Sequence, residues 1–232
     1  MDTKDLQNKL INLEGKYSEN SVVKNIKRTV FSEHERNYYS MHQGADRMKS
    51  IYHNYSEWYS IFFHKYIQEK ITFCEVGILT GVGLSIWCDI FKNANIIGYD
   101  IDTNIYFENY KKLVSLGAFS SNLPNVYSFD QYKENTDLIK NHINEKKITI
   151  VIDDGNHNTD ANLQTFKSFL PLLADEFVYV IEDNPTGIHK ILHQQYNDDF
   201  YIYYKNQLTI ITSKNGKEPI NYLKKYLVNT IK

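Results

Sequence analysis

A chain of 232 residues is long enough to bury one sizeable core and too short for two domains of ordinary size. Its 26 Lys+Arg against 28 Asp+Glu, with a pI near 6.4, give no electrostatic footprint for nucleic acid or an anionic membrane surface, so neither partner is expected. No apolar run approaches the ~18 residues of a membrane span, and the polar start Met1-Asp2-Thr3-Lys4 is unlike a secretory leader. A cytoplasmic protein is the resulting expectation.

In chain order, Leu6, Leu10 and Leu13 recur at helical spacing and predict a short amphipathic helix over about residues 3–14. Residues 30–66 are dense in rings: Phe31, His34, Tyr38, Tyr39, His42, Tyr52, His53, Tyr55, Trp58, Tyr59, Phe62, Phe63 and His64. From Ile51 their spacing is helical. It suits best a helix packing its rings on a sheet, with an N-terminal cap over an active site as the alternative. We assign residues 1–68 to a helical cap region and 69–232 to a catalytic domain.

From Ile71 the pattern changes to buried strands alternating with helices. Strands are predicted at 71–76, 95–100, 125–129, 148–152 and 177–181, which argues an α/β fold with a doubly wound, mostly parallel Rossmann-like sheet. Between the last two strands, Leu163, Phe166, Leu170 and Leu173 are expected as helical core. Residues 200–204 and 207–212 flank Lys205-Asn206 and read as a C-terminal antiparallel hairpin. Cys74 and Cys88 fit buried, reduced thiols better than a disulfide framework.

The chemistry concentrates at strand ends. The first strand runs into Glu75-Val76-Gly77, followed by Gly81, Gly83 and Ser85. Glycines after a buried strand allow a sharp turn and a close ligand approach, and the next helix offers free N–H groups. The spacing is not that of a dinucleotide-binding loop. An acid such as Glu75 opposes a pyrophosphate but favours an ammonium or sulfonium group, which points to S-adenosylmethionine. Asp100 at the second strand end lies where a ribose diol would sit, and Asp130-Gln131 after the third would face the adenine. The fourth and fifth strands end in Asp153-Asp154-Gly155-Asn156-His157 and Glu182-Asp183-Asn184. Four acids converging on the crevice outside the strand ends repel one another unless a divalent cation sits among them, and His157 adds a base.

These residues carry a resemblance. Residues 71–102 resemble the first βαβ unit of class I methyltransferases, and within them the macrolide-sugar, cephalosporin-hydroxylase-like and rhamnosyl O-methyltransferases. Their pattern is E-I/V-G-x-x-x-G-x-S followed by G-x-D-I/V-D. The similarity continues through Asp153-Asp154-Gly155-Asn156-His157 (D-D-G-S-H in the family) and Val180-Ile181-Glu182-Asp183, and upstream through Ala45-Asp46-Arg47 and Tyr52-His53-Asn54-Tyr55. It spans roughly residues 40–190. Gly83 and Asn156 both stand where the family has Ser, and Asn184-Pro185 replaces a loop that in relatives meets the substrate.

The resemblance implies Asp154, Glu182 and Asp183 as ligands of Mg2+ (or Mn2+), with His157 and Asp154 catalytic. It further implies S-adenosylmethionine held by Glu75, Gly77, Gly81, Gly83, Ser85, Asp100, Asp130, Gln131 and Asp153. The expected activity is O-methylation of a sugar hydroxyl, nucleotide-linked or on a glycan, with the sugar as small-molecule partner and the oligomeric state open, a homo-oligomer included. Catechol-like or phosphate and phosphoramidate acceptors are the alternatives within this chemistry. A metal-dependent hydrolase on the same acids, or a silent adenosyl-binding module, are the alternatives outside it.

Overall fold

The computed structural model describes residues 1–18, 47–49, 53–215 and 221–228. The chain divides into two compact units, residues 1–70, 78–96 and 102–124 in one and residues 71–77, 97–101 and 125–232 in the other.

In the first unit, α1 (Thr3–Ser18) buries Leu6, Leu10 and Tyr17 on one face. It runs past the expected end near residue 14 because its last turn has buried partners. Both carboxylate oxygens of Glu14 accept the Met48 N–H at 3.1 Å, and the Tyr17 hydroxyl donates to Asp89 Oδ2 at 2.5 Å. The aromatic helix α2 (Tyr55–Phe63) packs against α3 (Val82–Ile90). Tyr59 and Phe63 stack at 5.0 Å, and both meet the Trp87 ring edge-on at 5.3 and 5.9 Å. The described part of the aromatic segment therefore packs its rings on a helix. Burying each such side chain contributes ~1.5–3 kcal/mol. Phe31, His34, Tyr38, Tyr39, His42, Ala45, Asp46 and Tyr52 lie outside the described residues. The unit also holds α4 (Asn104–Ser115).

The second unit carries the sheet apart from the first two residues of its second strand. Its strands are β1 (Thr72–Val76), β2 (Asn95–Asp100), β3 (Asn125–Ser128), β4 (Ile148–Asp153), β5 (Leu173–Ile181), β6 (Phe200–Lys205) and β7 (Leu208–Ser213), in spatial order β3-β2-β1-β4-β5-β7-β6. Pairs β2/β3, β1/β4 and β4/β5 are parallel, and β5/β7 and β6/β7 are antiparallel. Helices α5 (Thr136–His142), α6 (Thr159–Phe169) and α7 (Ile188–Tyr196) follow β3, β4 and β5. This is the expected mostly parallel, doubly wound Rossmann-like sheet with an antiparallel end. Strand numbering reverses direction at β1/β4, the topological switch point where ligands of such sheets bind.

Local chemistry explains where element ends differ from expectation. β5 begins at Leu173, and its exposed Asp175 and Glu176 hid that extension from an apolar-run reading. Leu173 is thus a strand residue, while Leu163, Phe166 and Leu170 do pack on the core beneath the sheet. In the hairpin the turn residues are Asn206 and Gln207, both at positive φ (49° and 69°), with Lys205 paired to Leu208. The turn therefore sits one residue later than expected, a twist-matched two-residue connection that needs two left-handed residues. Cys74 and Cys88 are buried thiols, and burial pushes that of Cys74 far up. Among the described residues no helix is long and apolar enough to cross a membrane.

Candidate active site

Strand register sets the site. Val76 of β1 pairs with Asp153 of β4, and Asp153 with Ile181 of β5. Just beyond, the Asp154 N–H donates to the Val76 carbonyl at 2.9 Å and the Glu182 N–H to the Asp153 carbonyl at 3.0 Å, while the Gly77 N–H reaches the Tyr99 carbonyl at 2.7 Å. Gly77, Asp154 and Glu182 therefore leave the sheet side by side at the switch point. Glu75 and Asp100 are buried at the ends of β1 and β2.

Asp154, His157 and Asp183 come together there. One ligand atom from each lies within 4.8 Å of the others, and His157 Nε2 is 3.1 Å from Asp154 Oδ1. His157 and Asp183 both have left-handed backbone, φ 58° and 50°. For a residue with a Cβ that costs ~1–3 kcal/mol, and it persists only where the surroundings impose it. Burial lowers the affinity of the His157 imidazole for a proton. The Asp154 hydrogen bond and the charges of Asp154, Asp183 and Asp153 outweigh that effect and raise its pKa to about 9. The two carboxylates offer oxygen donors suited to a hard divalent cation such as Mg2+ or Mn2+, with the imidazole beside them. Glu182 is buried and is not a member of this group.

Several other sequence-derived candidates are engaged within the fold. Asp153 is fully buried and accepts from Gln131 Nε2 at 2.7 Å and Asn162 Nδ2 at 2.9 Å. Burial pushes its carboxyl up to about 7; those hydrogen bonds and the His157 charge oppose the rise, and Asp154 adds to it. Gln131 Oε1 also accepts the Asn156 N–H at 2.7 Å, so its amide turns toward the histidine loop. Asp130 accepts the Tyr132 N–H and pairs with Lys133, contacts that hold its carboxyl below the usual range. The Ser85 hydroxyl donates to the Gly81 carbonyl at 2.9 Å inside α3, where Gly81 is the left-handed N-cap residue and Gly83 lies in the first turn.

Sequence reasoning missed Asn162 and Asn184, both fully buried. Asn162 shares a helix face with Phe166 and Phe169, and an amide on an apolar stripe was the available signal.

Gly77 has a packing reason of its own. At φ 84° it faces the other loop so closely that a Cβ would lie 2.1 Å from the Asp154 carbonyl oxygen. A Cβ at Gly155 would likewise meet Gln131 Oε1 at 2.1 Å. Gly77→Ala is expected to cost ~2–4 kcal/mol, combining left-handed strain with overpacking against backbone. A denaturant midpoint equal to that of the wild type would contradict this.

Neither a protein-family model nor a curated protein sequence matches the chain. Solved structures do. The MycE methyltransferase from the mycinamycin biosynthetic pathway, in complex with Mg and SAH, superposes with a TM-score of 0.56 at 18% identity, covering 75% of this chain and 53% of that one. Its complex with Mg, SAH and mycinamycin VI gives 0.57 at 19% identity, covering 75% and 52%. A second crystal form of the Mg and SAH complex gives 0.56 at 16% identity, covering 80% and 59%. This chain thus spans a little over half the length of those proteins and shares their methyltransferase fold.

Proposed function

We propose that this protein is an O-methyltransferase that uses S-adenosylmethionine and Mg2+ (or Mn2+) to methylate a sugar hydroxyl, nucleotide-linked or on a glycan. The observation that carries the reading is the gathering of Asp154, His157 and Asp183 at the switch point, where two of the three hold strained backbone. The acid-then-glycine end of β1 beside them supports it, as does the fold shared with a methyltransferase crystallised with Mg and SAH. Asp154 and Asp183, with Glu182 as the neighbouring acid, hold the cation. Glu75, Gly77 and Asp100 serve the cofactor.

When bound, the cofactor supplies an electrophilic sulfonium methyl and the cation a Lewis acid. The chain supplies position and proton transfer. An aliphatic hydroxyl is a poor nucleophile at neutral pH, so it needs both an oriented approach and a nearby proton acceptor. His157 Nε2, facing Asp154 Oδ1, is the atom at which the site holds a proton. Asp153, Gln131 and Asp130 act here as supports of the loops.

Calorimetric titration with S-adenosylmethionine, with and without Mg2+, tests the reading, with micromolar binding expected. Asp100→Ala should weaken it by ~1–3 kcal/mol through lost hydrogen bonds to a charged acceptor. Unchanged affinity in that variant removes Asp100 from the site, and no binding by the wild type removes the methyltransferase reading. A screen of nucleotide sugars beside catechols and small phosphate compounds, read by release of S-adenosylhomocysteine, decides the acceptor. Turnover confined to catechols refutes the sugar assignment.

A further inference from the structure

Six polar groups form a directed chain behind the acid loops, and four of them, Asp153, Asn162, Asn184 and Gln131, are buried. The Thr186 N–H donates to Asn184 Oδ1 at 3.2 Å. Asn184 Nδ2 donates to Asn162 Oδ1 at 2.5 Å and, at 3.5 Å, to the carbonyl of His157. Asn162 Nδ2 donates to Asp153 Oδ2 at 2.9 Å. From the opposite side the Asn156 N–H donates to Gln131 Oε1, and Gln131 Nε2 donates to Asp153 Oδ1. Both arms start at a backbone N–H, which can only donate, and both end on one carboxylate. This fixes the orientation of all three amides, because flipping any of them sets donor against donor or acceptor against acceptor.

The arms grip the two residues with left-handed backbone. Asn184 directly follows Asp183, and its amide holds the carbonyl of His157; Gln131 holds the N–H of Asn156, the residue before His157. A third contact braces the same loop: the Asn184 N–H donates to the Gln207 carbonyl in the hairpin turn at 3.1 Å. Asn162 is the middle link between the two loops. It joins Asn184 to Asp153, and so fixes the β5 loop against the end of β4.

We infer that Asn162 and Asn184, together with Gln131, are positioning residues that hold Asp154, His157 and Asp183 in one geometry by clamping the β4 and β5 loops to the Asp153 carboxylate. This rests on the functional reading above in treating that group as a cation site. The geometric claim does not depend on it.

The test uses Asn162→Ala and Asn184→Ala in the full chain, with Asn122→Ala as a control that removes two amide contacts, to the Phe91 and Ala94 carbonyls, far along the sequence from either loop. Two readouts are taken. The first is the ring nitrogen and proton chemical shifts of His157 in metal-free protein, assigned with His157→Asn. The second is Mn2+ affinity, measured by electron paramagnetic resonance.

Both clamp variants should shift the His157 signals and bind Mn2+ roughly 10- to 100-fold more weakly, the range for residues that orient ligands. The control should do neither, whatever its loss of thermal stability. Either clamp variant alone decides if the other fails to fold. Wild-type protein that binds no Mn2+ sinks the cation reading and leaves the His157 shifts to judge the inference. Wild-type His157 signals in the clamp variants overturn it.

Discussion

Asp154→Asn is expected to bind S-adenosylhomocysteine with wild-type affinity while losing cation affinity by at least ~10-fold and turnover by ~100-fold or more. Asp154 is one of two carboxylates whose oxygens approach the His157 nitrogen, and the amide is isosteric, so packing changes little. The loss is electrostatic, because a neutral amide oxygen is a weaker ligand for a hard cation and a weaker partner for an imidazolium. Full activity after exhaustive chelation, or an active Asp154→Asn protein, would exclude the proposed role of the cation.

His157→Ala is expected to lower the rate by ~100-fold or more with little change in cofactor affinity. The pH behaviour follows from its surroundings. Its folded-state pKa is raised from 6.5 to about 9, so the stability contributed by the imidazolium is complete below 6.5 and is lost as pH rises through about 9. Metal-free protein should therefore lose stability across that window, and the alanine variant should lose less. A cation entering among the same acids competes with that proton. At pH 7.5 its binding should release about one proton from the wild type and almost none from His157→Ala, read as a buffer-dependent calorimetric enthalpy. A wild-type enthalpy independent of the buffer would return His157 to a structural role.

The sheet was legible because β1 and β4 are buried on both faces and spell themselves as unbroken apolar runs tipped by acids. The convergence of Asp154 and Asp183 was legible for the same reason, since parallel strands of matched register end at one level. What the sequence hid were interactions that obey no period. Gln131 lay next to Asp130 and read as an adenine contact, and nothing local announced that its amide also bonds Asp153 and the Asn156 N–H, a partnership created by the adjacency of loops distant in sequence. Likewise Ser85 read as a cofactor ligand from its place after the glycines, and no period in the sequence announces the bond its hydroxyl makes to the Gly81 carbonyl four residues back. The helix end at Ser18 depended on Met48 and Asp89, which no local pattern reveals.

The near-collision at position 155 amounts to a rule about paired change. A Cβ there would lie 2.1 Å from Gln131 Oε1, 2.7 Å from its Cδ and 3.0 Å from its Nε2, so the whole end of that side chain occupies the volume any substituent would need. Gly155→Ala and a shortening of residue 131 are consequently not independent events. The first displaces the end of the Gln131 side chain from its hydrogen bonds, and the second leaves room for the added methyl group. In diverging descendants of this chain the two positions should exchange volume together, and a double-mutant cycle should give them a coupling that neither single substitution predicts.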